Sequence, residues 1–240
     1  MISKTALLAL DFFDFFHKKK IKKFFTQNYK RDFNLIFDIG AHKGETILFF
    51  LKNFRVNEII SFEPSFLNFQ TLKKNSIELK KKFNNSKITL ENFGIGEKRE
   101  KLQLKQHSES SSSTINEFNE DSNYFKKKNK ILNLKNDIYN VVDINVIPLY
   151  EYIEEKKIEK IDLLKIDTEG YEFQVLLSLR EKMKIVKYIM FEHHFDDMIK
   201  KKYIFRDINK LLAKNNFKKV FKLRMPFRKS FEYIYINENN

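Results

Sequence analysis

Three short stretches hold all five glycines of this 240-residue chain, and each sets them beside groups capable of chemistry. IFDIGAHKGET carries Asp38, Gly40, Ala41, His42 and Gly44; ENFGIG carries Asn92, Phe93, Gly94 and Gly96; KIDTEG carries Lys165, Asp167, Glu169 and Gly170. In the first, glycine lets the backbone approach a ligand, and free N–H groups at a helix start favour an anionic group there. Glu63 ends the next apolar run, 23 residues after Gly40. That matches the acidic residue that grips a pair of ribose hydroxyls in nucleotide-binding folds. The spacing points to a nucleoside cofactor. His42 stands where a dinucleotide motif has its second glycine, which argues against a pyrophosphate.

A second group of chemically able residues is Glu192, His193 and His194, with Asp196 and Asp197 close behind. Imidazole and carboxylate suit several divalent metals. Neighbours on a strand point in opposite directions, however, so at most a subset could converge. A divalent metal is therefore weighed but not favoured over a substrate-contacting His193 or plain edge residues.

The elements that must position these groups follow from periodicity. FNLIFDI, NEIISFE, SKITLENF, IDLLKID and VKYIMFE read as strands, alternating with helices over 44–54, 65–82, 171–183 and 196–216. KLQLKQ and VVDINVIPL suggest further strands, YEYIEEKK a short helix, and FKKVFKL with FEYIYIN a terminal hairpin. Such βα alternation implies an α/β fold, a mainly parallel sheet with helices on both faces, to which the hairpin adds an antiparallel strand. All three glycine motifs then fall at the strands' carboxyl edge, where open α/β sheets place their ligands. We expect a basic, aromatic helical extension over 1–32, a catalytic domain over 33–240, and a substrate-side insertion or lid over 97–147 that includes the serine run Ser110–Thr114. In the extension, Lys4, Asp11, Asp14 and Lys18 form a polar stripe opposite Leu8, Phe12, Phe15 and Phe16. It is read either as a helix packed on the domain or as one lying on a membrane surface.

Composition narrows the classes. Without cysteine, disulfides, thiolate nucleophiles and Cys-type metal sites are excluded. No stretch reaches the roughly 20 apolar residues of a membrane span. The N-terminal apolar stretch is broken by Asp11 and Asp14 and lacks a cleavage site, so a cytoplasmic protein is expected, with peripheral contact to an anionic membrane as an option. The net charge of +14 comes mostly from Lys and crowds into 198–229, while 150–175 is acidic. Few arginines and no recognisable RNA module make nucleic acid an unfavoured partner. No motif bears on the oligomeric state.

With these residues in place, the chain resembles the FkbM-type family of S-adenosylmethionine-dependent methyltransferases. The resemblance spans about 33–195 through FDIGAHKGET, ISFEPSFLNFQTLKKN, NFGIG, SSST, LLKIDTEGYEFQVL and IMFEHH. Tyr150 stands where the family commonly has Asp, and Ser178 where it commonly has Gly. The resemblance implies a Rossmann-like class I fold with a seven-stranded sheet, and methyl transfer to a hydroxyl of a sugar, surface glycan, polyketide or other secondary metabolite. By the same resemblance Asp38, Gly40, Ala41, His42 and Gly44 would wrap the methionine end of the cofactor. Glu63 would hold the ribose, and Asn92 and Phe93 would flank the adenine. Asp167 or Glu169 would be the base that takes the acceptor's proton, with Lys165 or His193 orienting the acceptor. Alternatives stay open: Asp38 as a turn cap, Asn92 as a turn residue, Glu169 as a structural ligand of its loop. The rival functions are RNA methylation and a catalytically inactive, methyltransferase-like binding protein.

Overall fold

The computed structural model describes residues 16–27, 32–107, 113–123, 125–126, 139–225 and 229–240. The apolar runs become strands, the central ones buried on both faces over most of their length, as a parallel sheet requires. In chain order these are β1 (Asp32–Ile39), β2 (Arg55–Phe62), β3 (Lys87–Glu91), β4 (Gly94–Ile95), β5 (Glu100–His107) and β6 (Glu117–Phe118), then β7 (Tyr139–Ile147), β8 (Ile161–Ile166), β9 (Val186–His194), β10 (Ile199–Lys200), β11 (Phe217–Arg224) and β12 (Ser230–Asn237). The helices are α1 (16–27), α2 (Glu45–Asn53), α3 (Phe66–Lys82), α4 (Leu149–Glu155), α5 (Glu172–Leu177) and α6 (Phe205–Lys214).

Seven strands form the main sheet in the order β11-β12-β9-β8-β1-β2-β3. β12 runs antiparallel to both neighbours, whereas β1, β2, β3, β8 and β9 pair in parallel. The order reverses between β1 and β8, which opens a crevice at their carboxyl ends. Helices cover both faces. Ile47 and Phe50 of α2 and Leu72 of α3 join one core, and Ile153 of α4, Val175 of α5 and Leu212 of α6 join the other.

The described part of the N-terminal extension packs on the domain. Phe25 is fully buried, and its ring meets Phe33, Phe50, Phe54 and Tyr188 edge-on. Phe16 is exposed and Lys18 is half-buried, and the other residues of the expected stripe and its apolar side lie outside the described residues. Among the described residues no helix is long and apolar enough to cross a membrane.

KLQLKQ and VVDINV are strands as expected, and they pair with each other outside the main sheet as β5 and β7, with β4 on the far side of β7. Two helices differ from the sequence reading. The helix expected over 171–183 stops at Leu177 and resumes as a 3-10 turn over Arg180–Ile185, where Arg180 takes a left-handed φ of 48°. The helix expected over 196–216 begins only at Phe205. Before it, Asp196 accepts a hydrogen bond from Met198 N at 3.2 Å, and Ile199–Lys200 pairs with β6 as β10. Pairing of Ile199–Lys200 with β6 overrides the helix expected there.

Candidate active site

A cavity of about 630 Å³ opens at the β1/β8 crevice. Its walls include Gly40, Ala41 and His42 after β1, Glu63 after β2, Lys165 on β8, and Asp167 and Glu169 just beyond. These seven expected site residues are brought together. Asp38, Gly44, Asn92, Phe93 and His193 stand outside the lining.

The turn after β1 is closed on itself. Gly40 N and Ala41 N both donate to Phe62 O (2.9 and 3.0 Å), His42 N donates to Glu63 Oε2 (2.8 Å), and Gly44 N donates to Ala41 O (2.9 Å). Lys43 N donates to Glu45 Oε2 at 3.2 Å. The free N–H groups expected there are therefore spent inside the chain, and the turn offers no cradle for a phosphate. Gly40 answers to the chain rather than to a ligand: with φ +84°, a Cβ there would lie 2.0 Å from Asp167 O. Only glycine lets the β1 and β8 tips pass so closely.

Glu63 accepts from His42 N and from Ser65 N (2.9 Å), and burial lifts its carboxyl to about 7. Asn92 Nδ2 donates to Glu63 O at 2.8 Å, so Asn92 ties the β3 tip to the β2 tip. The Phe93 ring packs on Phe62 and Tyr152, at 5.6 and 6.0 Å between centroids. Gly44, also at positive φ, begins α2.

Across the crevice, Lys165 Nζ lies 3.1 Å from Asp167 Oδ2 and 3.6 Å from Asp38 Oδ1. Against the effect of burial, these two carboxylates hold Lys165 above its ordinary range. Asp38 is fully buried, and burial pushes it up to about 6 even with Lys165 beside it. It serves Lys165 from beneath the cavity floor.

Glu169 is pinned from several sides. Its backbone sits at φ 47°, a conformation that non-glycine residues adopt only when their surroundings impose it. Thr114 Oγ1 donates to Glu169 O at 2.7 Å, and Asn116 Nδ2 donates to Gly170 O at 2.6 Å. Its carboxylate Oε2 lies 3.3 Å from His194 Nε2. Thus Thr114, at the end of the serine run, clamps the KIDTEG loop, while its neighbours Ser113 and Ile115 line the cavity. Residues 110–112 of that run lie outside the described residues.

Strand alternation separates the two histidines. Glu192 and His194 face the Lys165 side. His193 faces α6, where its ring meets Phe195, Tyr203 and Phe205 at 4.8, 5.8 and 5.3 Å. Burial, then Lys201, lowers His193 to about 3, so it is neutral and is not brought to the acceptor side. His194 instead sits among Glu169, Glu192 and Asp196, each at 3.3 Å. Burial disfavours its charge, but these carboxylates raise it to about 9. Among the described residues no group of three or more His, Cys, Asp or Glu could hold a metal ion.

The sequence reading missed Glu232. It lies on β12 directly opposite Glu192, is 7% exposed, lines the cavity, and is lifted by burial and by Glu192 to about 8. A signal was present: in FEYIYIN, Phe231, Tyr233 and Tyr235 take one face, which leaves Glu232 as the acid on the other, otherwise apolar, face. His17 and Lys18 of α1 also reach the cavity wall and were not foreseen there. The two departures from the family pattern lie apart from it. Tyr150 stacks under the Arg180 guanidinium at 4.0 Å, and Ser178 Oγ donates to Val175 O at 2.6 Å.

Comparison with known proteins bears on the family and the fold. The model of the methyltransferase FkbM domain matches residues 38–219. No curated protein matches the sequence. Among solved structures, the chain is similar to a methyltransferase FkbM from Methylobacillus flagellatus KT (16% identity, TM-score 0.55), covering 87% of this chain and 44% of that one. This chain therefore spans less than half the length of that protein. It is also similar to magnesium protoporphyrin IX methyltransferase from Synechocystis PCC 6803 with bound S-adenosylhomocysteine (8% identity, TM-score 0.54, 95% and 85% covered). A third likeness is to TrmK of M. capricolum in complex with the same cofactor product (9% identity, TM-score 0.51, 93% and 68% covered). At these identities the structural likenesses speak for the fold.

Proposed function

The chain belongs to the FkbM methyltransferase family, and from that premise we propose that it moves a methyl group from S-adenosylmethionine to a hydroxyl of a sugar, surface glycan or secondary metabolite. One observation carries the reading. The carboxylates of Asp167 and Glu169 share a single cavity with the Gly40–His42 turn and Glu63.

The residues present fit that cofactor. The β1 turn keeps its N–H groups to itself, which suits a ligand without phosphates. Six carboxylates line the cavity, those of Glu45, Glu63, Asp167, Glu169, Glu192 and Glu232, against the lysines Lys18 and Lys165. Even with Glu63 and Glu232, lifted to about 7 and 8, holding protons near neutral pH, the other four carboxylates outnumber the two lysines, and that surplus favours a cationic sulfur. When bound, the cofactor supplies an electrophilic methyl whose bond to sulfur breaks as the bond to the acceptor oxygen forms, the electron pair staying on sulfur. Glu63, braced by two backbone amides, is placed to hold the ribose hydroxyls. Asp167 or Glu169 takes the hydroxyl proton as the new bond forms, a contribution of roughly 10²–10⁴-fold. Lys165 keeps Asp167 in place, and His194 keeps Glu169 in place. The remaining acceleration comes from alignment of the reacting atoms. The same acidic walls disfavour a polyanionic acceptor such as RNA.

The test is transfer of labelled methyl from S-adenosylmethionine into fractionated extracts of the native cell, with mass analysis of the product. An O-methylated small molecule or glycan is expected. Labelled RNA would overturn the acceptor class, and cofactor binding without any transfer would revive the inactive binding protein. Asp167→Asn and Glu169→Gln address the base. If both keep near-normal turnover, neither carboxylate is the base.

A further inference from the structure

Two carboxylates face each other at the end of the cavity furthest in strand order from Glu63. Glu192 on β9 and Glu232 on β12 are direct partners in the antiparallel ladder, and both line the cavity. Like charges at such positions destabilise a sheet, and burial together with Glu192 lifts the Glu232 carboxyl to about 8, so it keeps its proton until a cation arrives. Glu232 Oε1 is buried with no hydrogen-bond partner, in a side chain 7% exposed. A buried acceptor left in that state is costly unless something donates to it.

The neighbouring cations are shared with other carboxylates. Lys165 Nζ lies between Asp167 and Asp38, at 3.1 and 3.6 Å. His194 divides itself among Glu169, Glu192 and Asp196. Lys18 lies on the α1 wall of a cavity whose lining is acidic by six carboxylates to two lysines.

We propose that Glu192 and Glu232 form a subsite for a protonated amine on the acceptor, which places the acceptor in the class of ammonium-bearing polyols such as amino sugars. The inference rests on the reading of the chain as a methyltransferase directed at oxygen. An ammonium brings three N–H donors and a positive charge to two carboxylates that only accept when ionised. A neutral hydroxyl supplies one donor and no charge, and an anionic acceptor meets repulsion. A protonated amine has no lone pair with which to attack. Held in this subsite, it leaves a hydroxyl of the same molecule to receive the methyl group beside Asp167 and Glu169.

The experiment uses the full chain saturated with S-adenosylhomocysteine, whose own affinity is measured separately by calorimetry. Glucosamine, N-acetylglucosamine and glucuronate are titrated by ligand-observed NMR. Glucosamine is expected to bind at least about tenfold more tightly than N-acetylglucosamine, with glucuronate weakest. Glu232→Gln is close in shape to the protonated carboxyl and carries no charge, so folding is expected to survive. That variant, alone and with Glu192→Gln, should bring the glucosamine preference towards one while leaving S-adenosylhomocysteine affinity unchanged. Equal binding of the two amino-sugar probes, no glucosamine binding, or a preference that survives the double variant would overturn the proposal. So would displacement of glucosamine by millimolar Mg²⁺, which would mark a cation site instead, or methylation at the probe's nitrogen. Glucosamine discrimination in a chain that fails to bind S-adenosylhomocysteine would break the cofactor reading and leave the subsite standing.

Discussion

At the β1–β2 end of the cavity, Glu63 is gripped by the backbone amides of His42 and Ser65. At the β9–β12 end, Glu192 and Glu232 face one another, with His194 and Lys165 as their charged neighbours. Backbone amides cannot be exchanged by substitution, so the first end is suited to a ligand that stays the same. Side chains can be exchanged one at a time, so the second is suited to an acceptor that differs from one protein to the next. The two ends meet where Gly40 passes Asp167 O, and where Asp167 N donates to Ile39 O at 2.9 Å.

The largest expected effect comes from forcing these ends apart. Gly40→Ala puts a Cβ within 2.0 Å of Asp167 O at a left-handed φ, and should remove more than about 4 kcal/mol of stability or prevent folding. Urea denaturation measures it, and a variant as stable as the parent would show that the two tips separate freely.

Glu63→Ala comes next and should act on the cofactor end alone. It leaves two amides without their acceptor, so S-adenosylhomocysteine affinity should fall by roughly 10–100-fold. Calorimetry that found no change would move the ribose contact to another residue.

The two ends should also titrate apart. Burial raises Asp38 and Glu63 to about 6 and 7, and Glu232 to about 8. Above their unfolded values these groups keep protons that the unfolded chain has lost. Their stabilisation is therefore full below the unfolded values of 3.8 and 4.5 and is lost as pH rises through the folded ones. His194, raised from 6.5 to about 9, adds a loss in the same direction as pH rises through about 9. Each group contributes up to about 1.4 kcal/mol per pH unit crossed. Thermal melts of Glu232→Gln should therefore show a shallower decline between about pH 4.5 and 8 and an unchanged one above. A parallel curve at all pH values would remove Glu232 from this account.

The smallest expected effect is at the clamp. Thr114→Val deletes the 2.7 Å hydrogen bond to Glu169 O and should cost about 1 kcal/mol. If Glu169 is the base, turnover should fall a few-fold with cofactor affinity intact. A loss of stability without loss of turnover would make Thr114 structural only.

The main sheet was readable because runs such as FNLIFDI and IDLLKI are buried on both faces and alternate with helical spacing. β5 and β7 were not readable as a separate sheet, because whether a strand joins one neighbour or another depends on contacts far along the chain. The cofactor end was legible for a related reason. Gly40, His42 and Glu63 act through local turns and adjacent strand tips, so their spacing in sequence nearly reproduces their spacing in space.

What the sequence determined by itself is the alternation of the main strands with helices, the family, and most of the acids at the strand ends. Only the tertiary structure decided which of them meet. The phase of β9 turns His194 and Glu192 towards Lys165 and sends His193 into an aromatic cluster, and the register of β12 sets Glu232 opposite Glu192. A shift of one residue in either strand would exchange the buried faces. Packing against the α1–α3 side and the α4–α6 side fixes that choice, and no short stretch of sequence carries it.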